Sequence, residues 1–404
     1  MTPETEVFHM AQPLPVERSD PFDPPTGLAR LREEQPLSRL AYPDGHLGWL
    51  VTSDDLARKV LTDKRFSARM ELRHEPVPRP RGENLRPGKA APPGFYMLMD
   101  PPDHTRYKRL VAAQFTARRI NAMRPRVEQI VHEHLDAMEK QGPPVDLVTA
   151  FAVPIPTLVI CELLGVPYEE RSRFQTDTGH ILSLTATDDQ VSASMRNVFG
   201  YMAKLVGEKK IDPGDDLLSG LLATGELADQ EVASLGMFLL IAGLETNANM
   251  ISLGTYALLR HPEQLEALRT GVVPVSNAVD ELLRYLTVVQ FSVIRAALED
   301  VEIDGQLIRK DECVTVSLPA INRDPARFER PDDLDLSRHA AGHLAFGHGM
   351  HLCTGHELAR MELREAFSAL LERFPRLRLA AEPQEISMRA DMAIYGVHEL
   401  PVAW

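Results

Sequence analysis

Gly342-His-Leu-Ala-Phe346-Gly347-His348-Gly349-Met-His351-Leu-Cys353-Thr-Gly355-His-Glu-Leu-Ala-Arg360 is a glycine-punctuated loop that runs into an apolar-faced segment. The apolar positions beyond it, Leu358, Met361, Phe367, Leu370, Leu371 and Phe374, recur at helical spacing, so the loop is expected to open a helix. A cysteine at such a junction meets the positive end of the helix dipole and free backbone N–H groups, and both favour thiolate over thiol. Two plainer readings of Cys353 stand beside this one. A lone cysteine is commonly an inert core residue, and His348, His351, Cys353 and His356 together have the composition of a zinc site.

The rest of the chain narrows the choice. A hydrophobic share of 44% with 25% charged residues is that of a globular chain able to bury a sizeable core. The net charge of -14, from 58 acidic against 44 basic residues, argues against nucleic-acid binding, which needs concentrated Lys and Arg. Three widely spaced cysteines, Cys161, Cys313 and Cys353, make no disulfide framework and point to a reducing compartment. The start, MTPETEVFHMAQPLPVERSDP, has no apolar core of signal-peptide length. The longest apolar run, Val232 to Leu244, is short of the ~20 residues that span a bilayer. A cytoplasmic protein without a membrane segment is expected. With no fixed-period repeat and no linker-like composition break, residues 1–404 are expected to form a single domain.

Patterning predicts a mainly α chain with minor β. Leu28 and Leu31, then Leu56, Val60 and Leu61, carry helical spacing, and Gly48 to Thr52 looks like a short strand between them. Glu75 to Gly94 is too rich in Pro, Gly and charge for a helix and is expected to be a long, mobile loop. From His104 onward helices dominate. The longest spans Asp229 to Arg260, with Asp229 as N-cap and a stop before His261-Pro262; apolar nearly all round, it should be central. Val293 to Pro319 changes to short alternating runs, with Asp304-Gly305 as a hairpin turn.

The loop around Cys353 resembles the haem-binding loop of the cytochrome P450 family, F-G-x-G-x-H-x-C-x-G, at Phe346, Gly347, Gly349, His351, Cys353 and Gly355. The central helix carries Ala242-Gly243-Leu244-Glu245-Thr246, which resembles the family's oxygen-activation signature A/G-G-x-D/E-T, with Asn247 where many relatives have a second Thr. Read from the residues alone, a mid-helix Thr can bond the carbonyl four residues back, here Ala242, and Gly243 eases local distortion, so a groove can open there. Glu281 and Arg284 reproduce the family's Glu-x-x-Arg motif, and the stretch Asn322 to Arg338 resembles the loop that completes it, with Arg338 as third member. On spacing alone Glu281 and Arg284 are only an i,i+3 pair worth a few tenths of a kcal/mol.

The resemblance, which runs from about Trp49 to the end, implies a triangular helical prism with a small sheet region. It implies haem b with Cys353 as the axial thiolate, whose electron donation favours O–O cleavage. Phe346 then packs beside the sulfur, Gly347, Gly349 and Gly355 let the backbone approach the ring, and His104, Lys108, Arg295 and His351 serve the propionates. Lys108 stands where Arg is commoner, so a point charge replaces a forked contact. Glu245 and Thr246 take the roles of proton delivery and stabilisation during oxygen activation.

The implied activity inserts one atom of O2 into an apolar organic substrate, a secondary metabolite such as a polyketide, macrolide or cyclic peptide. The pocket is expected from the loop Glu75 to Leu98, the segment Phe174 to Leu184, Leu240, Leu244, Val288, Val289 and Ile394. No nicotinamide or flavin fingerprint is present, so electrons from NAD(P)H must arrive through separate proteins, a ferredoxin and its reductase. The basic run Arg106, Lys108, Arg109, Arg118 and Arg119 lies where relatives receive an acidic iron-sulfur protein, and equally reads as a solvated helix face. A monomer is expected. Oxidative coupling on the same haem fold is a second reading, a zinc-stabilised binding protein a third.

Overall fold

The computed structural model describes residues 11–83, 88–167, 170 and 172–404. The expectations for residues 1–10 and for 84–87 of the long loop lie outside them.

The helix Asp229–Arg260 is the axis of the molecule, as its all-round apolarity predicts. It packs against Pro154–Leu164, Asp188–Ile211, Val275–Leu286 and His356–Arg373. Ala228, not Asp229, is the N-cap: its N–H donates to Glu231 Oε2 at 2.7 Å, so the acid three residues on satisfies the helix start. The helix stops at His261, and Pro262 opens the next helix, Pro262–Arg269. By length and composition the axis could cross a membrane, which the shorter apolar run had not suggested, but 72% of its most apolar window is buried by protein. At Gly254 a Cβ would lie 2.7 Å from the Phe367 ring, so glycine is what lets the helix after Cys353 seat against the axis.

Strands Leu37–Ala41, Leu47–Val51, Cys313–Val316, Ile294–Ala297 and Phe66–Ser67 form one sheet in that order, antiparallel except for the parallel Leu47–Val51/Cys313–Val316 pair. Strands at Leu47–Val51 and within the Val293–Pro319 region match the alternation. Leu37–Ala41 and Phe66–Ser67 carry no β-branched run and are strands because neighbours offer them ladder bonds. Asp304 and Gly305 both take positive φ, 53° and 73°, and close the hairpin Val301–Ile303/Gln306–Ile308.

Helices also form at Leu28–Glu34, Asp54–Thr62, Asp103–Ala112 and Ala117–Gln141. The described part of Glu75–Gly94 holds neither helix nor strand, as its composition predicts. Its first half is nevertheless pinned by the half-buried Glu75, which pairs with Arg73 and Arg81.

Candidate active site

The cysteine loop is set by two backbone constraints. Gly349 has φ 71°, and a Cβ there would lie 2.7 Å from the Leu61 carbonyl oxygen, so the loop touches the helix Asp54–Thr62 at a point only glycine can occupy. The Cys353 N–H then donates to the Phe346 carbonyl at 3.0 Å, closing the loop ahead of the helix His356–Arg373, whose N-cap is Gly355. The Arg360 guanidinium lies 4.7 Å from the Phe346 ring centroid. Burial pushes the Cys353 thiol up, while the Gly355 N–H and the charges of Lys108 and Arg360 pull it down. The thiolate-favouring groups expected from the sequence are therefore present, but in the bare protein burial outweighs them.

Beside the loop, His104, Arg295 and His351 are all buried, and the two imidazole rings lie 4.3 Å apart. Among the described residues neither ring nitrogen of His104 nor Nδ1 of His351 has a hydrogen-bond partner. Burial, then the Lys108 charge, lowers His104 to about 4; burial, then Arg295 and His104, lowers His351 to about 2. Among the described residues Arg295 donates only to its own strand, to the Ile294 carbonyl at 2.9 Å. Buried donors without acceptors, gathered around a guanidinium, are the reverse of a stable core and the donor set that an anionic group would complete. Haem carries two carboxylates and fits it. Lys108 is placed differently from expectation: its Nζ donates to the carbonyls of Met350 and, at 3.0 Å, Leu352, so it braces the cysteine loop.

On the central helix, Thr246 Oγ1 donates to the Ala242 carbonyl at 2.9 Å, the bond expected from the sequence. Phe238, Ala242 and Thr246, four residues apart, stay accessible on a helix otherwise largely buried, so this stripe faces open space. Leu240 and Leu244, expected in the pocket, are instead fully buried: each is about 200° around the helix from Ala242. Glu245 is buried as well, and its Oε2 meets Arg389 Nη2 at 2.9 Å and Asn249 Nδ2 at 3.3 Å. Arg389 comes from the C-terminal turn, where Gly396 lets the chain pass so close to Asn249 that a Cβ would lie 2.0 Å from its Oδ1. No local signal marks Arg389; its role depends on a contact with a helix far earlier in the chain.

Asn247 Nδ2 donates to Glu362 Oε2 at 3.0 Å, joining the axis to the helix after Cys353. Burial raises Glu362 to about 8, and the Asn247 bond only partly offsets this. The folded state therefore holds a proton that the unfolded chain releases in the ordinary carboxylate range. Stability tied to that proton is full at low pH and is lost as pH rises through about 8. Glu362→Gln keeps the acceptor and cannot ionise. It is expected to match the parent at about pH 4, where the unfolded carboxylate is still largely protonated, to pull ahead as pH rises above that, and to be more stable by on the order of 2–4 kcal/mol by about pH 8. Urea unfolding across that range checks this; parallel pH profiles for the two proteins would rule it out.

Glu281 and Arg284 are fully buried and doubly bonded, Arg284 Nε to Oε2 at 2.7 Å and Nη2 to Oε1 at 2.8 Å, and Arg338 Nε reaches Oε1 at 3.1 Å.

Known proteins share this arrangement along almost the whole chain. The family model described as Cytochrome P450 matches residues 203–391. Cytochrome P450 105C1 from a Streptomyces species is 49% identical over 98% of this chain and 100% of its own. The chain belongs to the cytochrome P450 family. Pentalenic acid synthase of Streptomyces avermitilis, another such relative, is 44% identical with 97% of each chain covered. The crystal structure of CYP105P1 in complex with filipin I superposes with a TM-score of 0.91 at 41% identity, covering 98% of this chain and 99% of that one. As a P450 the protein is a haem-dependent monooxygenase with the P450 fold, using O2 and electrons from NAD(P)H supplied through redox proteins.

The zinc reading fails on geometry as well as on family. Among the described residues no three His, Cys, Asp or Glu converge as a metal site. His356 Nδ1 accepts from Arg360 Nη1 at 2.9 Å, and His348 Nδ1 lies 3.5 Å from Arg58 Nη1.

Of the remaining P450 pocket expectations, Val289 and Ile394 pair across an isolated bridge, and the Tyr395 N–H donates to the Val288 carbonyl at 2.8 Å. Ser183 bridges Met392, and the Ala393 N–H donates to the Leu182 carbonyl at 2.9 Å, so the segment Phe174–Leu184 joins the same strip. Leu98 is half-buried in the turn Tyr96–Leu98. Gln290, Phe291, Met392 and Tyr395 line a cavity of about 600 Å³ shared with prolines of the N-terminal segment. Patterning gave no sign of that cavity, and no residue of the cysteine loop borders it. The basic run is largely neutralised: Arg106 pairs with Glu231, Arg109 with Glu226 and Arg119 with Asp215.

Proposed function

We propose that Cys353 is the axial ligand of the haem iron, that His104, Arg295 and His351 hold the propionates, and that Lys108 fixes the loop carrying the sulfur. The observation that supports this most directly is the set of unpartnered, buried imidazole nitrogens gathered with Arg295 beside the cysteine loop. Phe346, Gly347, Gly349 and Gly355 shape the loop so that its backbone can approach a flat ring. Bound haem supplies thiolate-ligated iron for splitting O2.

The chain's own residues supply protons and exclude water. Thr246 lies on the accessible stripe of the axis, and Glu245 stands next to it with its carboxylate held by Arg389 and Asn249. In this reading Glu245 relays protons inward from the Arg389 side, and the Thr246 hydroxyl, turned back on the Ala242 carbonyl, orients the last donor. Glu245→Gln is expected to lower product formation by about 10²–10⁴-fold while leaving substrate binding within about twofold, because general acid catalysis contributes about that much. Turnover and optical substrate titrations separate the two effects, and a variant that turns over like the parent removes Glu245 from the relay.

The substrate is an apolar secondary metabolite of the polyketide, macrolide or cyclic-peptide kind. Supporting this, one relative is a pentalenic acid synthase, one was crystallised with filipin I, and a P450 hydroxylase of the leinamycin pathway of Streptomyces atroolivaceus matches with a TM-score of 0.87 at 38% identity. The reading includes a ferredoxin and ferredoxin reductase as electron donors and a single-domain monomer in the cytoplasm. The test is the reduced, carbon monoxide-bound spectrum: a red-shifted haem band is expected, and a colourless preparation or an unshifted band overturns the assignment of Cys353.

A further inference from the structure

The start of the proline-rich loop holds a charge imbalance that the oxygen chemistry does not use. Arg73, Arg79 and Arg81 gather around Glu75, the only carboxylate found to pair with them among the described residues. Glu75 is in contact with Arg81 and lies 3.7 Å from Arg73. The side chains are enclosed, with Arg73 only 9% exposed and Glu75 and Arg81 14% each. All three Nε atoms lack partners. Arg79 is the least engaged: among the described residues its one hydrogen bond is a long one, 3.4 Å, to the Ile181 carbonyl. Burial, followed by the Arg81 charge, lowers Arg79 to about 9. Burial alone would raise Glu75, yet Arg81, Arg73 and Arg79 hold it at about 2, so the cluster has cationic potential to spare.

Its neighbours place it on the pocket walls. Arg73 Nη2 donates at 3.2 Å to the carbonyl of Ser292, just beyond Val288 and Val289. Ile181, the acceptor for Arg79, belongs to the segment Phe174–Leu184, and the Arg73 charge also depresses Arg295 beside the haem cradle. Among the described residues no second carboxylate is bonded to these guanidinium groups. Tyr42 and Cys313 are neutral, both thiol and phenol being pushed up by burial, and the exposed Asp188 accepts the backbone N–H of Arg81 at 2.9 Å. A buried surplus of guanidinium groups is costly unless an anion completes it, and the planar fork of Arg matches a carboxylate.

We propose that Arg79, supported by Arg73 and Arg81, is an anion subsite of the substrate pocket, and that the substrate is an apolar molecule carrying a carboxylate. This rests on the pocket walls assigned under the proposed function. The carboxylate seats on the guanidinium cluster while the apolar body extends toward the accessible stripe of the central helix. Glu75 tunes the subsite: it keeps the cluster from binding small anions indiscriminately by occupying part of it.

The test uses ferric holoenzyme and optical titration of the haem spin state. The probes are dodecanoate, hexadecanoate and 4-phenylbutyrate, each against its methyl ester. At least one acid is expected to bind about tenfold or more tightly than its ester, the scale of a charge-assisted hydrogen bond. Arg79→Gln is expected to bring that ratio to about twofold or less without weakening the ester, and Glu75→Gln to move acid affinity the opposite way, upward. Equal affinity of acids and esters across the set, failure of every acid to bind, or equal weakening of acid and ester in Arg79→Gln overturns the proposal. If Arg79→Gln does not fold, Arg79→Lys replaces it and the acid-to-ester ratio of the parent still decides. The carbon monoxide band of each preparation keeps the two readings apart: its loss indicts the haem site, whereas its retention without acid preference indicts the subsite alone.

Discussion

Cys353→Ala is expected to eliminate the red-shifted band of the reduced carbon monoxide complex and with it NAD(P)H-driven oxygenation. Among the described residues no second ligand is in place to rescue it. His356 Nδ1 is taken by the Arg360 guanidinium, and His351 is packed against His104 among the propionate donors. Cys161 and Cys313 are buried elsewhere, Cys313 with its sulfur 3.3 Å from the Leu72 carbonyl. Cys161→Ala and Cys313→Ala should therefore keep the band, which separates loss of the ligand from general damage. A red-shifted band surviving in Cys353→Ala would place the sulfur ligand elsewhere.

Arg284→Ala is expected to cost about 3–5 kcal/mol, the usual result of removing one partner from a buried pair. That is a large fraction of the roughly 5–15 kcal/mol that holds a domain folded, so the yield of haem-loaded protein should collapse. The reason is visible in the bonding. Besides Glu281, Arg284 Nη1 satisfies the carbonyls of Asn322 and Pro331, each at 2.8 Å, and those residues belong to the meander leading to the cysteine loop. Asn322 in turn accepts the Leu344 N–H at 2.7 Å through Oδ1. Truncation leaves Glu281 with Arg338 and the Asp335 N–H but strips the carbonyls of a donor. Arg284→Lys should fare little better, since a point charge cannot serve carboxylate and carbonyls at once. Urea midpoints and haem-to-protein absorbance ratios measure the effect, and a loss below about 1 kcal/mol would mean that the pair is surface-like in energy.

The same Arg284 shows how far sequence reading goes. Its spacing from Glu281 is legible as an i,i+3 pair, but the bonds that raise it above surface value come from residues about forty to fifty positions later. The Glu362–Asn247 bond is of the same kind. Asn247 stood out as a departure from a second Thr, yet its partner lies on another helix, brought close because Gly254 admits the Phe367 ring. The misplacement of Leu240 and Leu244 has a related cause: apolar all-round sequence says that a helix is central without saying which face meets the core and which meets open space.

By itself, then, the sequence determined the elements and the chemistry-bearing loop. The 3.6-residue periods, the proline after His261, the Asp304-Gly305 turn and the glycine-spaced approach to Cys353 are local properties, decided by backbone sterics and by which side chains share a face. Tertiary structure decided the partners. Arg389 on Glu245, Lys108 on the loop carbonyls and three arginines around Glu75 are choices among many chemically equivalent residues. An ion pair or hydrogen bond depends on distance in space and on how completely water is excluded, and neither is written in the spacing of residues along the chain.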